Sequence, residues 1–290
     1  MSTLLVQGNI KQHLRFEPSE FWTTMSKYQD LTRPHWDADL VVWPEAAVPE
    51  IEALADTYLA NLDSAASFNK TALVTGIVDY QLDTKTIYNT LIVVGNKEHN
   101  DEHGHYRYLD KNRYRKHQLL PIGEFVPFQD ILRPIAPLFD LPMSSFTRGD
   151  RVQNNLRANG FNLLPAICYE IVFADLVRGN YQSDSDLLFT VSNDAWFGDS
   201  IGPLQHMQIA RMRALELQRP LVRVTNNGVS AVYDPLSHTQ QTMPQFEAAT
   251  MKADIKLIQG DSVYSQYGNI FVWGVVVLMM IGGIGVRFRK

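Results

Sequence analysis

The chain has 290 residues, 45% hydrophobic and 20% charged, proportions that fit a globular protein with a sizeable core and exclude a collagenous, disordered or coiled-coil chain. Its formal net charge of −5 lacks the basic excess that nucleic-acid binding requires, so no nucleic-acid partner is expected. Cys168 is the only cysteine, which excludes an intrachain disulfide and any cysteine-based metal cluster.

From the first residue onward, Met-Ser-Thr-Leu-Leu-Val-Gln-Gly shows no basic segment followed by an apolar stretch, the pattern of a secretory signal. Short β-branched runs predict strands at 4–7, 40–43, 72–79, 90–94, 106–109, 163–167, 187–192, 221–225 and 230–233. Helical spacing predicts helices at 19–32, 49–69 and 204–218, the last with an apolar packing face. Asn227-Gly228 reads as a type I′ hairpin turn. The alternation of strands and helices predicts an α/β layer structure. Residues 121–142 contain five prolines and read as a long irregular loop of the kind that closes over sites. Residues 270–286 carry no charge, with Tyr264 and Tyr267 before them and Arg287, Arg289 and Lys290 after. Aromatics at one end and cations at the other predict one transmembrane helix with its basic end cytoplasmic. The expected organisation is an α/β domain over 1–262, then a C-terminal transmembrane helix and short basic tail over 263–290.

There is no P-loop, no strand-linked Gly-x-Gly-x-x-Gly, no His-Glu-x-x-His and no Gly-x-Ser-x-Gly, so nucleotide hydrolysis, dinucleotide redox, zinc-protease and serine-hydrolase chemistry have no anchor. His99, His103 and His105 could hold a metal, but the Asn, Asp and Gly around them are turn chemistry, and no metal site is predicted. In Asn-Leu-Leu-Pro-Ala-Ile-Cys168 a buried strand ends at the thiol and gives way to an amphipathic helical stretch. Free N–H groups at such an elbow favour thiolate and can bind an oxyanion, whereas a lone cysteine is otherwise inert core material. Asp-Leu-Val-Val-Trp-Pro-Glu45 leaves a carboxylate at another strand end, and Tyr-Arg-Lys116 puts an amine after a third, with Glu124 following. Singly these are ordinary surface charges. Together they supply a base, a cation for a developing oxyanion and a nucleophile.

The order Glu45, Lys116, Cys168 resembles the nitrilase, or carbon–nitrogen hydrolase, superfamily. More narrowly, Val-Gln-Gly-Asn-Ile, Trp-Pro-Glu-Ala-Ala, Tyr-Asn-Thr, Tyr-Arg-Lys-His-Gln-Leu-Leu-Pro-Ile-Gly-Glu-Phe-Val-Pro, Ile-Cys-Tyr-Glu, Ser-Asn-Asp-Ala-Trp-Phe-Gly, His-Met-Gln-Ile-Ala-Arg-Met-Arg-Ala-Leu-Glu and Arg-Val-Thr-Asn-Asn-Gly resemble the apolipoprotein N-acyltransferase family. The resemblance implies a nitrilase-like four-layer α-β-β-α sandwich at the periplasmic face of the bacterial inner membrane. It implies transfer of an acyl chain from a phospholipid donor, through a Cys168 thioester, to the α-amino group of a diacylglyceryl-prolipoprotein, with no cofactor. It assigns Glu45 as general base, Lys116 as oxyanion stabiliser and Cys168 as nucleophile. Glu124 matches a carboxylate supporting Lys116, and Tyr169 and Glu170 match residues shaping the pocket behind the thiol. Phe16 stands where the family more often has Trp. Lys116 is expected to favour thiolate, partial burial to keep Glu45 near a useful proton affinity, and the Tyr169 N–H to donate to the oxyanion. Phe125, Phe128, Leu138 and Phe139 would form a lipid-facing wall or lid that excludes water. Family members normally carry a transmembrane bundle before this domain, so the chain is expected to be a fragment, a truncated product or half of a split enzyme. The alternatives are an amidase of small amides, with water as acceptor, and a catalytically silent lipoprotein-binding module.

Overall fold

Leu4 and Val6 pack into one hydrophobic core and Leu5, between them, into another. The same alternation separates Val41 from Leu40 and Val42, Leu73 from Val74, and Ile92 and Val94 from Leu91 and Val93. A strand's period of two explains it: each of these strands is buried on both faces, so its sequence is a continuous apolar run. In a computed structural model that describes residues 1–96, 106–121, 123–125 and 146–287, these strands form the first of two sheets.

In chain order, β1 (Ser2–Gln7), β2 (Leu40–Val42), β3 (Val48–Ile51), β4 (Ala72–Gln81), β5 (Thr86–Gly95) and β6 (Arg113–Arg115) build the first sheet. The second contains β7 (Leu156–Ala158), β8 (Phe161–Ile167), β9 (Leu187–Ser192), β10 (Leu221–Thr225), β11 (Ala231–Tyr233) and β12 (Gln240–Thr242); β13 (Ala249–Asp254) then returns to pair antiparallel with β1. Parallel pairing of β1, β2 and β4 in one sheet, and of β8, β9 and β10 in the other, brings several strand ends to the same end of the molecule. One core lies between the sheets, joining Leu5, Val42 and Val74 to Ile167, Phe189 and Val222. The outer faces are covered by α1 (Phe21–Thr32) and α2 (Asp56–Phe68) on the first sheet and by α3 (Ala174–Asn180) and α4 (Gly202–Leu217) on the second. The layers are therefore α-β-β-α, as the resemblance implied.

Several local expectations need correction. Residues 106–109 do not form a strand: the Tyr106 N–H donates to Asp63 Oδ1 at 3.1 Å and its hydroxyl to Glu52 Oε1 at 2.8 Å, so α2 and the turn before it take the groups a neighbouring strand would have used. The helix expected over 49–69 starts only at Asp56, because Val48–Ile51 pairs with β4 and the Glu52 N–H closes on Val78 O at 2.9 Å. β10 and β11 do pair, but Asn227 and Gly228 are not among the residues with positive φ, so the connection is not a type I′ turn. Gly228 is needed for a different reason: a Cβ there would lie 2.5 Å from Asp194 Oδ2. β3, β6, β7, β12 and β13 lie outside the runs that predict strands. His99, His103, His105 and most of 121–142, including Phe128, Leu138 and Phe139, lie outside the described residues.

The terminal apolar run is helical, α5 (Val263–Tyr267) followed by α6 (Ile270–Arg287), and described α6 side chains such as Trp273 and Leu278 are exposed. Among the described residues no helix is long and apolar enough to cross a membrane. The segment before α5 is clasped to the second sheet's helical layer: Arg219 Nη1 donates to Gly260 O at 2.7 Å and Ser262 Oγ to Glu216 O at 2.6 Å. Ser262 also caps α5, accepting from the Ser265 N–H at 2.9 Å.

Candidate active site

Glu45 sits just beyond β2 on a turn in which Ala46 has φ of 49°, pressed against β4 at Gly76. A Cβ at Gly76 would lie 2.3 Å from Ala46 N, so only glycine lets the turn come this close. The buried carboxylate is held on both oxygens: Asn89 Nδ2 donates to Oε1 at 2.7 Å, and the Asn193 N–H donates to Oε2 at 2.8 Å. Asn89 lies on β5, and its carbonyl accepts the Lys116 N–H at 2.8 Å, registering the residue after β6 beside it. Lys116 Nζ lies 3.5 Å from Glu45 Oε1 and 2.8 Å from Glu124 Oε2. Glu124 is steadied by the Leu120 N–H on Oε2 at 2.8 Å and by Asn89 Nδ2 on Oε1 at 3.0 Å. A buried ammonium thus bridges two carboxylates, and every member of the group has a partner, which such burial demands.

Cys168 follows β8 at an elbow with φ of 52°, a conformation uncommon for a residue with a side chain. The expected amphipathic helix is instead a tight 3-10 turn, Cys168–Val172, followed by the seven-residue α3. Glu170, fully buried, fixes this elbow: its Oε2 accepts from the Ile167 N–H at 2.8 Å and Tyr114 OH at 3.1 Å, and its Oε1 from the N–H groups of His117 at 2.7 Å and Gln118 at 3.1 Å. The same carboxylate therefore ties the Cys168 elbow to the chain that carries Lys116. Tyr169 stacks edge-on against Phe173 at 5.0 Å.

The electrostatics differ from expectation. Burial pushes the Cys168 thiol up to about 12, with the Glu45 charge adding to the rise and Lys116 opposing it without prevailing. The resting group is a thiol, not a thiolate. Burial favours a protonated Glu45, but the Lys116 and Arg15 charges and the Asn89 and Asn193 hydrogen bonds outweigh it and hold the carboxyl below its ordinary value. Burial likewise opposes the charge on Lys116, yet the Glu45 and Glu124 carboxylates keep it well above the ordinary amine value. An ionised base, a neutral thiol and a fixed cation share one pocket.

Glu45, Asn89, Lys116, Glu124 and Cys168 line one cavity, and Phe16, Leu120, Phe146 and Trp196 form its apolar rim. Phe16 and Trp196 are 50% and 58% exposed. Arg15 also reaches the cavity, its guanidinium 4.9 Å from the centre of the Phe16 ring. The structure thus brings Glu45, Lys116, Glu124 and Cys168 together, with Phe16 at the mouth. Tyr169 and Glu170 are not among the described lining residues.

Sequence reasoning passed over Asn89, Arg15 and Asn193, and it passed over a buried group behind the thiol. There Asp194 takes Arg223 Nη2 at 2.8 Å and Ser192 Oγ at 2.6 Å, and His206 sits between Asp194 and Cys168. Arg223 and His206 carried a signal: charged or titratable residues within otherwise apolar element faces require a buried partner.

This arrangement can move a proton from sulfur to carboxylate while an ammonium waits for negative charge on an attacked carbonyl. Comparison with known proteins agrees. The carbon-nitrogen hydrolase family model matches residues 5–263. The chain is 51% identical over 278 residues to the apolipoprotein N-acyltransferase of Vibrio vulnificus (strain CMCP6), covering 95% of this chain and 54% of that protein. It is also 51% identical over 287 residues to that of Vibrio cholerae serotype O1 (strain ATCC 39315 / El Tor Inaba N16961), covering 99% and 55%. The chain thus spans about half the length of these curated relatives. Two solved structures share the fold: an amidase from Nesterenkonia sp., with TM-score 0.60, 16% identity and 92% of each chain covered, and Saccharomyces cerevisiae Nit3 of the nitrilase superfamily, with TM-score 0.59, 18% identity, and 87% of this chain and 89% of that one covered. From its layers, its strand-end carboxylate, amine and thiol, and the match along most of its length, the chain belongs to the carbon–nitrogen hydrolase family.

Proposed function

We propose that the chain is the acyl-transferring part of an apolipoprotein N-acyltransferase, with Glu45 as general base, Lys116 as oxyanion stabiliser and Cys168 as nucleophile. The observation that carries this reading is the meeting of those side chains and Glu124 in one cavity that Phe16, Leu120, Phe146 and Trp196 also line, with Phe16 and Trp196 exposed. Relatives about half identical over nearly the whole chain bear the acyltransferase name, which directs the choice of acceptor from water toward an amine.

The first half-reaction starts with a neutral thiol. Glu45 takes the Cys168 proton as sulfur attacks the ester carbonyl of a phospholipid, and the charge gathers on oxygen beside Lys116 Nζ. The C–O bond breaks, Glu45 returns the proton to the leaving alkoxide, and lysophospholipid departs. In the second, the α-amine of a diacylglyceryl-prolipoprotein attacks the thioester, its proton passes through Glu45, the C–S bond breaks and sulfur is reprotonated. Ping-pong kinetics follow. Ester to thioester to amide needs no external energy source or cofactor. The cavity of about 70 Å³ has room for the reacting ester or amide and not for a long acyl chain, and the apolar side chains of Phe16, Leu120, Phe146 and Trp196 offer the chain a surface of its own polarity. Under this reading residues 1–262 are the catalytic domain, on the periplasmic side of the inner membrane, and 263–290 form the lipid-embedded segment with its basic end cytoplasmic.

The deciding experiment is intact mass after incubation of the chain with phospholipid vesicles alone. An acyl adduct on Cys168 that hydroxylamine removes, and that Cys168→Ala never forms, is expected. No adduct on the native chain overturns the reading, and ammonia release from short amides without an adduct from lipid replaces it with an amidase.

A further inference from the structure

His206, on α4, is buried at 6% exposure, and both of its ring nitrogens are engaged within the protein. Nε2 lies 3.1 Å from the Cys168 carbonyl oxygen; Nδ1 lies 2.9 Å from Arg223 Nη2 and 3.1 Å from Asp194 Oδ1. A carbonyl only accepts and a guanidinium only donates, so the neutral ring satisfies both with its hydrogen on Nε2. Burial and the adjacent Arg223 charge lower the proton affinity of His206, which keeps that neutral form at ordinary pH. Asp194 does not depend on the ring: Ser192 Oγ donates to its Oδ1 at 2.6 Å and Arg223 to its Oδ2 at 2.8 Å. The imidazole is clamped between residues at β9 and β10, and its one N–H is directed at the backbone of the cysteine.

That backbone carbonyl belongs to the Cys168–Tyr169 peptide. The described chain has no cis peptide bonds, and in a planar trans unit the C=O and N–H point in opposite directions. A donor that fixes the carbonyl therefore fixes the N–H of Tyr169. Local sterics do not fix it, because the left-handed well that Cys168 occupies is shallow for a residue with a Cβ. N–H groups at the start of a 3-10 turn have no partner within it, so this one is available to a ligand.

We propose that His206 is a positioning residue which, held by Arg223 that Asp194 in turn anchors, locks the Cys168–Tyr169 peptide so that the Tyr169 N–H acts with Lys116 as the second oxyanion donor. The inference rests on the assignment of Cys168 as the acylated nucleophile. It also explains why the Ser192–Asp194 segment matters twice: the Asn193 N–H orients Glu45, and Asp194 anchors the Arg223 that holds the ring orienting the peptide after the thiol.

The test compares two reactions of the same sulfur on the full chain. Acylation by 4-nitrophenyl butyrate forms the S–C bond through an oxyanion, with the thiol proton going to Glu45 and 4-nitrophenolate leaving. Alkylation by iodoacetamide displaces iodide without one. His206→Leu should slow single-turnover acylation on the order of 10²-fold, the size of losing one oxyanion donor, while changing alkylation less than about threefold, well inside that margin. His206→Gln carries an amide N–H near the Nε2 position and should restore most of the acylation rate. His206→Asn carries its amide near Nδ1 and should not, which keeps the comparison decisive should the leucine variant fail to fold. Acylation unchanged in His206→Leu, alkylation falling in parallel with acylation, or Gln no better than Asn each overturn the inference. A native chain that the ester never acylates overturns the nucleophile assignment itself, an outcome seen before any variant is made.

Discussion

The proton inventory of the pocket sets how its residues respond to pH. Glu45 must be ionised to accept the thiol proton, and its carboxyl is held below the ordinary range by Lys116 and Arg15 against the opposing effect of burial. A lowered base pKa moves the acid limb of activity to lower pH, so acylation by a soluble ester should persist below about pH 4.3, the usual glutamate midpoint. Arg15→Gln removes one of the two cations and should carry that limb upward, without a matching fall in the rate at neutral pH. A pH–rate profile of both proteins checks this, and an unmoved limb would rule out the electrostatic role of Arg15. At the other end, a thiol pushed up to about 12 predicts iodoacetamide alkylation that rises roughly tenfold per pH unit through pH 10. A plateau between pH 7 and 9 would mean that Lys116 produces a resting thiolate after all.

Which elements could be read from the sequence depended on where their pairing energy comes from. Leu187–Ser192 and Leu221–Thr225 are buried along their whole length, so their composition announces them. Arg113–Arg115 and Gln240–Thr242 carry no such run; they are strands because β5 and β11 offer open edges. The catalytic candidates stood out for the same reason the central strands did: Glu45 and Cys168 are abrupt chemical breaks at the ends of apolar runs. Asn89, Asp194, His206 and Arg223 act through contacts between distant segments, which local periodicity does not encode. Glu170 is the sharpest case, since sequence placed it near the thiol but not as the clasp of two elements. Each of its oxygens accepts two donors, and an amide must turn an NH2 toward one of those pairs. Glu170→Gln should therefore cost about 2–3 kcal/mol, the penalty of stranding buried donors. Urea unfolding monitors it, and a change within about 0.5 kcal/mol, the range of an ordinary surface substitution, would deny the clasp.

At the scale of the molecule, the two sheets carry the candidate site and α6 carries the longest run of exposed apolar side chains among the described residues. Described residues from Ile270 to Ile281 are more than half exposed at many positions around the helix, with Val275 at 56% and Met279 at 69%. A helix apolar all round has no solvent face, so it needs a partner of the same polarity. The clasp of Arg219 on Gly260 and Ser262 on Glu216 fixes where α5, and the helix after it, leaves the second sheet's outer layer. Under the proposed function, contact of α6 with lipid would hold the apolar side of the cavity near the membrane that supplies donor and acceptor. Val275 and Met279 are one turn apart on the same face. Replacing both with lysine adds two charges costing about 2.5–3.5 kcal/mol each at the centre of a lipid-embedded helix. The vesicle partition coefficient read by flotation should fall on the order of 10⁴-fold by that arithmetic, while acylation of Cys168 by a soluble ester stays unchanged because the cavity lies in the sheets. Equal flotation of the native and doubly substituted chains would show that α6 does not meet lipid, and loss of soluble-ester acylation would show that the helix supports the catalytic layers instead.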